Sequence, residues 1–130
     1  MTGRAALFLD RDGVVCRAVV RGGKPFPAGS VQELDILPGV REALQRAGAQ
    51  KLVRIIVTNQ PDVARGTLTR EAVESIHRWL GARLPLEEFR ACYHDDGDRC
   101  QCRRPKPGMI VDAAREAGID LSRSFMIGDR

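Results

Sequence analysis

The stretch Ala5-Ala-Leu-Phe-Leu-Asp10-Arg-Asp12-Gly13-Val-Val limits the folds open to this chain more than any other. Five apolar residues in succession read as a short strand buried on both faces, as in a parallel sheet covered by helices. The run stops at two acids separated by one residue, followed by glycine. In open α/β sheets, chemistry gathers where strands end at their carboxyl side. An aspartate there can act as a nucleophile, forming an acyl-phosphate that splits a hard hydrolysis into two easier steps. A second aspartate two residues on can protonate the leaving oxygen and later activate water. Gly13 lets the chain turn sharply away. For the tetrapeptide alone the bland alternative is a polar turn. A calcium loop of the EF-hand type does not fit, because Gly13 stands fourth instead of sixth and Arg21 occupies the place of the final Glu.

Further strands and helices alternate along the chain. Val14 to Leu37 is a long irregular segment, expected as a lid or rim, with Val14–Val20 as a hairpin arm turning at Gly22-Gly23. Pro38-Gly39-Val40 opens a helix with Val40, Ala43, Leu44 and Ala47 on one face and Gly48 near its stop. Leu52–Val57 reads as a second buried strand, running into Thr58-Asn59-Gln60. Thr69 is placed as N-cap of a second helix carrying Val73, Ile76 and Leu80 at helical spacing. Ala91–His94 is a short strand, Pro107–Gly118 a third helix, and Ser124–Ile127 a strand ending at Gly128-Asp129. This pattern predicts an α/β fold, a three-layer Rossmann-like parallel sheet with right-handed crossovers. At 130 residues it is expected to be one domain.

In such a sheet Asp10/Asp12, Thr58/Asn59 and Asp129 converge on one edge. Thr58 offers a hydroxyl to phosphate oxygens, and Asp10 with Asp129 can share one Mg²⁺, which takes carboxylates, water and phosphate. The alternative for Thr58-Asn59 is helix capping. Arg103-Arg-Pro-Lys-Pro-Gly-Met109 adds cationic donors suited to the charge that spreads over a transferring phosphoryl group; the alternative is a solvated basic turn.

Three of the four cysteines crowd together in Cys92-Tyr-His94-(five residues)-Cys100-Gln-Cys102. One Cys₃His set satisfies tetrahedral Zn²⁺ with no open position, so a structural zinc stapling this loop is expected. Cys16 reads as a small buried hydrophobe and His77 as a surface residue. The net charge of +4 suits an anionic ligand, while 5% aromatic residues are too sparse for a base-stacking platform. The expected partner is a small phosphorylated metabolite, not nucleic acid or membrane. No long apolar run or signal peptide is evident, so a cytoplasmic monomer is the expectation.

Together these residues resemble the haloacid dehalogenase superfamily of aspartate-nucleophile phosphatases. Asp10-Arg-Asp12-Gly13 looks like its first motif, Val57-Thr58-Asn59 its second, Arg104-Pro105 its third and Gly128-Asp129 the start of its fourth. The cysteine cluster followed by Arg103-Arg-Pro-Lys-Pro-Gly narrows the resemblance to a subfamily without a large cap domain, whose members act on heptose bisphosphate or histidinol phosphate. The resemblance implies Asp10 as nucleophile, Asp12 as acid/base, Thr58 as phosphate clamp and Arg104 as the third-motif cation. It implies Asn59, Gln60, Arg103 and Lys106 as substrate contacts. Magnesium would be held by Asp10, Asp129 and the Asp12 main-chain carbonyl, and zinc by Cys92, His94, Cys100 and Cys102. Heptose bisphosphate is the first expected substrate and histidinol phosphate the second. The rival readings are an inactive zinc-containing interaction or nucleic-acid module, and a receiver-like domain phosphorylated as a signal. There are departures from the superfamily pattern: Arg104 stands where lysine is usual, Pro61-Asp62 replaces a small-residue turn, and the fourth motif stops at Asp129-Arg130. A C-terminally truncated form of the fold is therefore expected.

Overall fold

The apolar N-terminal run forms strand β1 (Ala6–Leu9), inside a four-stranded sheet. The structure is a computed structural model that describes residues 3–94 and 108–128. After β1 come a hairpin of β2 (Val19–Arg21) and β3 (Lys24–Phe26), helix α1 (Val40–Ala49) and strand β4 (Val53–Asn59). Helix α2 (Arg70–Arg83), strand β5 (Glu88–Cys92), helix α3 (Gly108–Ala117) and strand β6 (Phe125–Ile127) follow. The sheet order is β5–β4–β1–β6 and all its pairs are parallel, as the alternation of elements predicts.

Side-chain alternation along each strand divides the core in two. Ala6 and Phe8 of β1, with Val53, Ile55 and Val57 of β4, pack with Met109 and Ala113 of α3. Leu9 and Ile56 pack instead with Leu44 of α1 and with Ile76 and Leu80 of α2. Helices therefore cover both faces of the central strands, which is why β1 and β4 read as unbroken apolar runs.

The second helix forms as its sequence predicts. The Thr69 hydroxyl accepts from the Ala72 N–H at 3.1 Å, and Val73, Ile76 and Leu80 are fully buried. Thr58 and Asn59 lie inside β4, well before this helix begins, so they do not cap it.

The first helix departs in one place: Ala43 is exposed, leaving Leu44 and Ala47 to face the core. The helix ends at Ala49, so Gly48 stands near its stop as expected, and Lys51 just beyond takes the left-handed conformation, with φ of 62°. Gly48 serves a close approach, because a Cβ there would collide with the Arg54 guanidinium. Arg54 donates to the Leu44 carbonyl at 3.1 Å and pairs with Glu87.

Strand β5 begins at Glu88, three residues before the expected Ala91. Its charges are compatible with a strand because it is an edge, and because Arg90 pairs with Glu88 and with Glu116 of α3. The hairpin arm is shorter than expected. Gly22 and Gly23, both with positive φ, make its two-residue turn, but only Val19–Arg21 enters the arm. Val15 and Cys16 instead turn inward and are fully buried, with the Val15 carbonyl accepting from Leu37 N–H at 3.0 Å. Cys16 is the buried hydrophobe expected, and burial pushes its thiol up to about 12, which leaves it unreactive at neutral pH. No helix among the described residues is long and apolar enough to cross a membrane.

Candidate active site

The chain runs from β1 through β4 to β5 on one side of the sheet, then returns to place β6 on the other side of β1. The strand order thus reverses at β1, and such a switch point opens a crevice at the strands' carboxyl ends. Asp10 sits there. Leu9 is in register with Ile56 on one side and Ile127 on the other, and the Asp10 N–H continues the ladder to the Ile127 carbonyl at 3.0 Å. The sheet fixes the backbone of Asp10 and leaves its side chain 9% exposed.

Beyond Asp10 the chain folds into a tight loop. The Arg11 carbonyl accepts from both Val15 N–H and Cys16 N–H at 2.9 Å, and Gly13 N–H donates to the Cys16 carbonyl at 2.7 Å. Gly13 has φ of 92°, a conformation in which a side chain is strained, so glycine here is a geometric requirement.

Asp12 is held from two directions. Arg11 Nε lies 3.2 Å from both of its carboxylate oxygens and Arg11 Nη2 3.1 Å from Oδ2. From just past the end of β4, the Gln60 amide donates to Asp12 Oδ2 at 3.1 Å and to the Thr58 hydroxyl at 2.9 Å. The geometry therefore brings Asp10, Asp12, Thr58 and Gln60 to one edge. Gln60, expected as a substrate contact, is fully buried, and its amide bridges Asp12 and Thr58. Asn59 ends β4 in register with Cys92. Pro61 and Asp62 start a compact turn in which the Asp62 carbonyl accepts from Thr67 and Leu68 N–H groups.

Two residues of this edge were not expected from sequence. Arg11, read only as the spacer between two acids, has no exposed surface, and its Nη1 lies 3.3 Å from His77 Nε2. His77 is not on the surface; it is buried and stacks on Phe89 with ring centroids 4.7 Å apart. A signal was present, since Val73, Ile76, His77 and Leu80 follow the i, i+3, i+4, i+7 spacing of one buried stripe.

Burial, and then the Arg11 charge, push the His77 imidazolium from 6.5 down to about 3, so the folded ring is neutral. The unfolded chain takes up this proton near 6.5 and the folded chain only near 3. Between those values the unfolded state binds more protons, so stability falls as pH falls, by up to about 1.4 kcal/mol per pH unit. Above 6.5 the contribution of His77 to the slope dies away over about one pH unit. Urea melts at pH 6.5 and 5.0 should differ by about 1.5 kcal/mol from this group, and His77→Gln should remove that difference. An unchanged slope in the variant would contradict the assignment.

Asp10 and the main-chain carbonyl of Asp12 are hard oxygen donors, the type that suits Mg²⁺. Asp129, Arg103, Arg104 and Lys106 lie outside the described residues. At the end of β5, Cys92 Sγ and His94 Nδ1 are 3.7 Å apart. Zinc–sulfur and zinc–nitrogen bonds at tetrahedral angles give an edge of about 3.6 Å, so this pair fits two corners of such a site. Cys100 and Cys102 lie outside the described residues, and among the described residues no group of three or more ligating side chains is assembled.

Comparison with known proteins bears on the same architecture. The sequence profile of the haloacid dehalogenase-like hydrolases matches residues 17–130. A D-glycero-beta-D-manno-heptose-1,7-bisphosphate 7-phosphatase of Rhodopseudomonas palustris is 36% identical, across 97% of this chain and 73% of its own length. The unmatched part of this chain is too short to reach Asp10, so that likeness takes in the Asp10–Gly13 loop. A D-glycero-alpha-D-manno-heptose-1,7-bisphosphate 7-phosphatase of Mycobacterium tuberculosis is 34% identical over 95% of this chain and 66% of its own. Among solved structures, the D,D-heptose 1,7-bisphosphate phosphatase of B. bronchiseptica, complexed with magnesium and phosphate, superposes with a TM-score of 0.82. It is 31% identical over 96% of this chain and 70% of that one. With its switch-point aspartates, parallel sheet and profile match over most of its length, this chain belongs to the haloacid dehalogenase-like hydrolase family.

Proposed function

We propose that this chain is a phosphatase that removes the 7-phosphate of a D-glycero-D-manno-heptose 1,7-bisphosphate. The observation that carries the reading is the Asp10–Asp12 pair at the sheet's switch point, in a chain 36% identical to a phosphatase named for that substrate. The Asp10 carboxylate attacks phosphorus, forming an acyl-phosphate as the bond to the sugar oxygen breaks. Asp12 gives that oxygen a proton, then takes one from the water that attacks the acyl-phosphate. Inorganic phosphate leaves, Asp10 is restored as the carboxylate and Asp12 as the protonated acid. By the motif resemblance Thr58 and Asn59 would contact the phosphoryl oxygens, Arg104 would offset their charge, and Arg103 and Lys106 would serve the rest of the substrate. Asp10, Asp129 and the Asp12 carbonyl would hold Mg²⁺, which would supply charge neutralisation where a phosphate dianion meets a carboxylate. Phosphate release from both anomers of the bisphosphate, with histidinol phosphate as competitor substrate, tests the assignment. Preference for histidinol phosphate, or release from neither, would overturn it.

The loop after β5 is proposed to carry a structural zinc on Cys92, His94, Cys100 and Cys102, supported by the 3.7 Å approach of the first two. Metal analysis should find about one zinc per chain, lost in Cys100→Ser with Mg²⁺ dependence retained. A zinc-free, fully active protein would contradict this.

A further inference from the structure

We infer that Arg11 and His77 form a buried positioning pair that sets the orientation of the Asp12 carboxylate from a helix in a different layer of the fold. The inference rests on the acid/base role proposed for Asp12. Arg11 stands between the two catalytic carboxylates in sequence, yet its side chain turns inward and has no exposed surface. A guanidinium carries only donors, and burying one without acceptors is costly. Here its donors are distributed over three segments. Nε and Nη2 grip Asp12, Nη2 also lies 3.5 Å from the Ala28 carbonyl of the long loop, and Nη1 faces His77 Nε2 on α2.

The choice of histidine matters to this arrangement. A carboxylate at position 77 would be a second anion competing with Asp12 for one cation. A neutral imidazole accepts the Nη1 hydrogen and leaves the guanidinium charge to Asp12. Its Nδ1 then carries the ring proton. Stacking on Phe89 at an interplanar angle of 16° fixes the ring plane. Phe89 belongs to β5 and His77 to α2, so the orientation of Asp12 is referred through Arg11 to two rigid elements. Gln60, the residue after β4, fixes the same carboxylate. A general acid must lie within hydrogen-bond reach of the leaving oxygen, so lost orientation is lost proton transfer.

Such a role has a signature that mere structural support lacks. A sugar alkoxide is a poor leaving group and needs the Asp12 proton, whereas 4-nitrophenolate leaves without one. His77→Phe keeps a ring against Phe89 and removes the acceptor; His77→Gln restores an acceptor. The experiment compares kcat/KM for heptose 1,7-bisphosphate and 4-nitrophenyl phosphate in these variants. In His77→Phe the sugar phosphate should lose about tenfold or more and the aryl phosphate less than about threefold, with His77→Gln recovering most of the difference. Equal losses on both substrates, or none on either, would overturn the inference. If His77→Phe does not fold, Arg11→Lys gives the same reading, because an ammonium lacks the fork that spans Asp12 and His77. Wild-type turnover of neither substrate would instead remove the phosphatase reading, and the inference with it.

Discussion

Asp10→Asn lowers phosphate release by at least about a thousandfold while leaving the fold intact, because an amide oxygen cannot form the acyl-phosphate. The substitution is nearly isosteric and keeps the N–H that pairs with the Ile127 carbonyl. The far-ultraviolet spectrum and melting temperature should therefore stay close to those of the parent. Steady-state release assayed over several protein concentrations checks this. Activity within about tenfold of the parent would remove covalent catalysis by Asp10.

The second large effect is on stability. Ile55 lies in the middle of β4, fully buried among Phe8, Val53 and Val57 and the residues of α3. Ile55→Ala is expected to cost about 3 kcal/mol, the loss of burial plus the cavity that a close-packed site cannot refill. For a chain of this size the melting temperature should fall by about 10 °C. Val20, 70% exposed on the hairpin, is the control, and Val20→Ala should change stability by less than about 0.5 kcal/mol. Equal effects at the two positions would mean that the sheet is not covered by helices on both faces.

What was legible in the sequence was local and strongly patterned. The run Ala5–Leu9, the stripe Val73, Ile76 and Leu80, and the Thr69 cap each express one physical rule within a few residues, and each is found within one residue of where it was expected. The convergence of Asp10 and Thr58 followed from a single topological rule for parallel sheets. Features set by residues distant in sequence were not legible. The early start of β5 depends on Arg90 meeting both Glu88 and, from α3, Glu116, which makes the charges tolerable in an edge strand.

The candidate site divides in the same way. The acids at positions 10 and 12 announce themselves by spacing, whereas the group that orients one of them does not. Arg11 and His77 are 66 positions apart, and each has an innocuous local reading, a spacer and a solvated histidine. Gln60 looked like part of a substrate-facing turn because it follows Thr58 and Asn59. The structure directs it inward, where its amide, one residue past β4, reaches both Asp12 and Thr58.

The most direct measurement is chemical capture of the intermediate. The protein is mixed with heptose bisphosphate and Mg²⁺, quenched in acid during turnover, reduced with borohydride and mapped by peptide mass spectrometry. Borohydride converts an aspartyl phosphate to homoserine and spares free carboxylates, so residue 10 should be recovered as homoserine and Asp12 unchanged. Phosphate release with both aspartates intact, or label at any other carboxylate, would contradict the account.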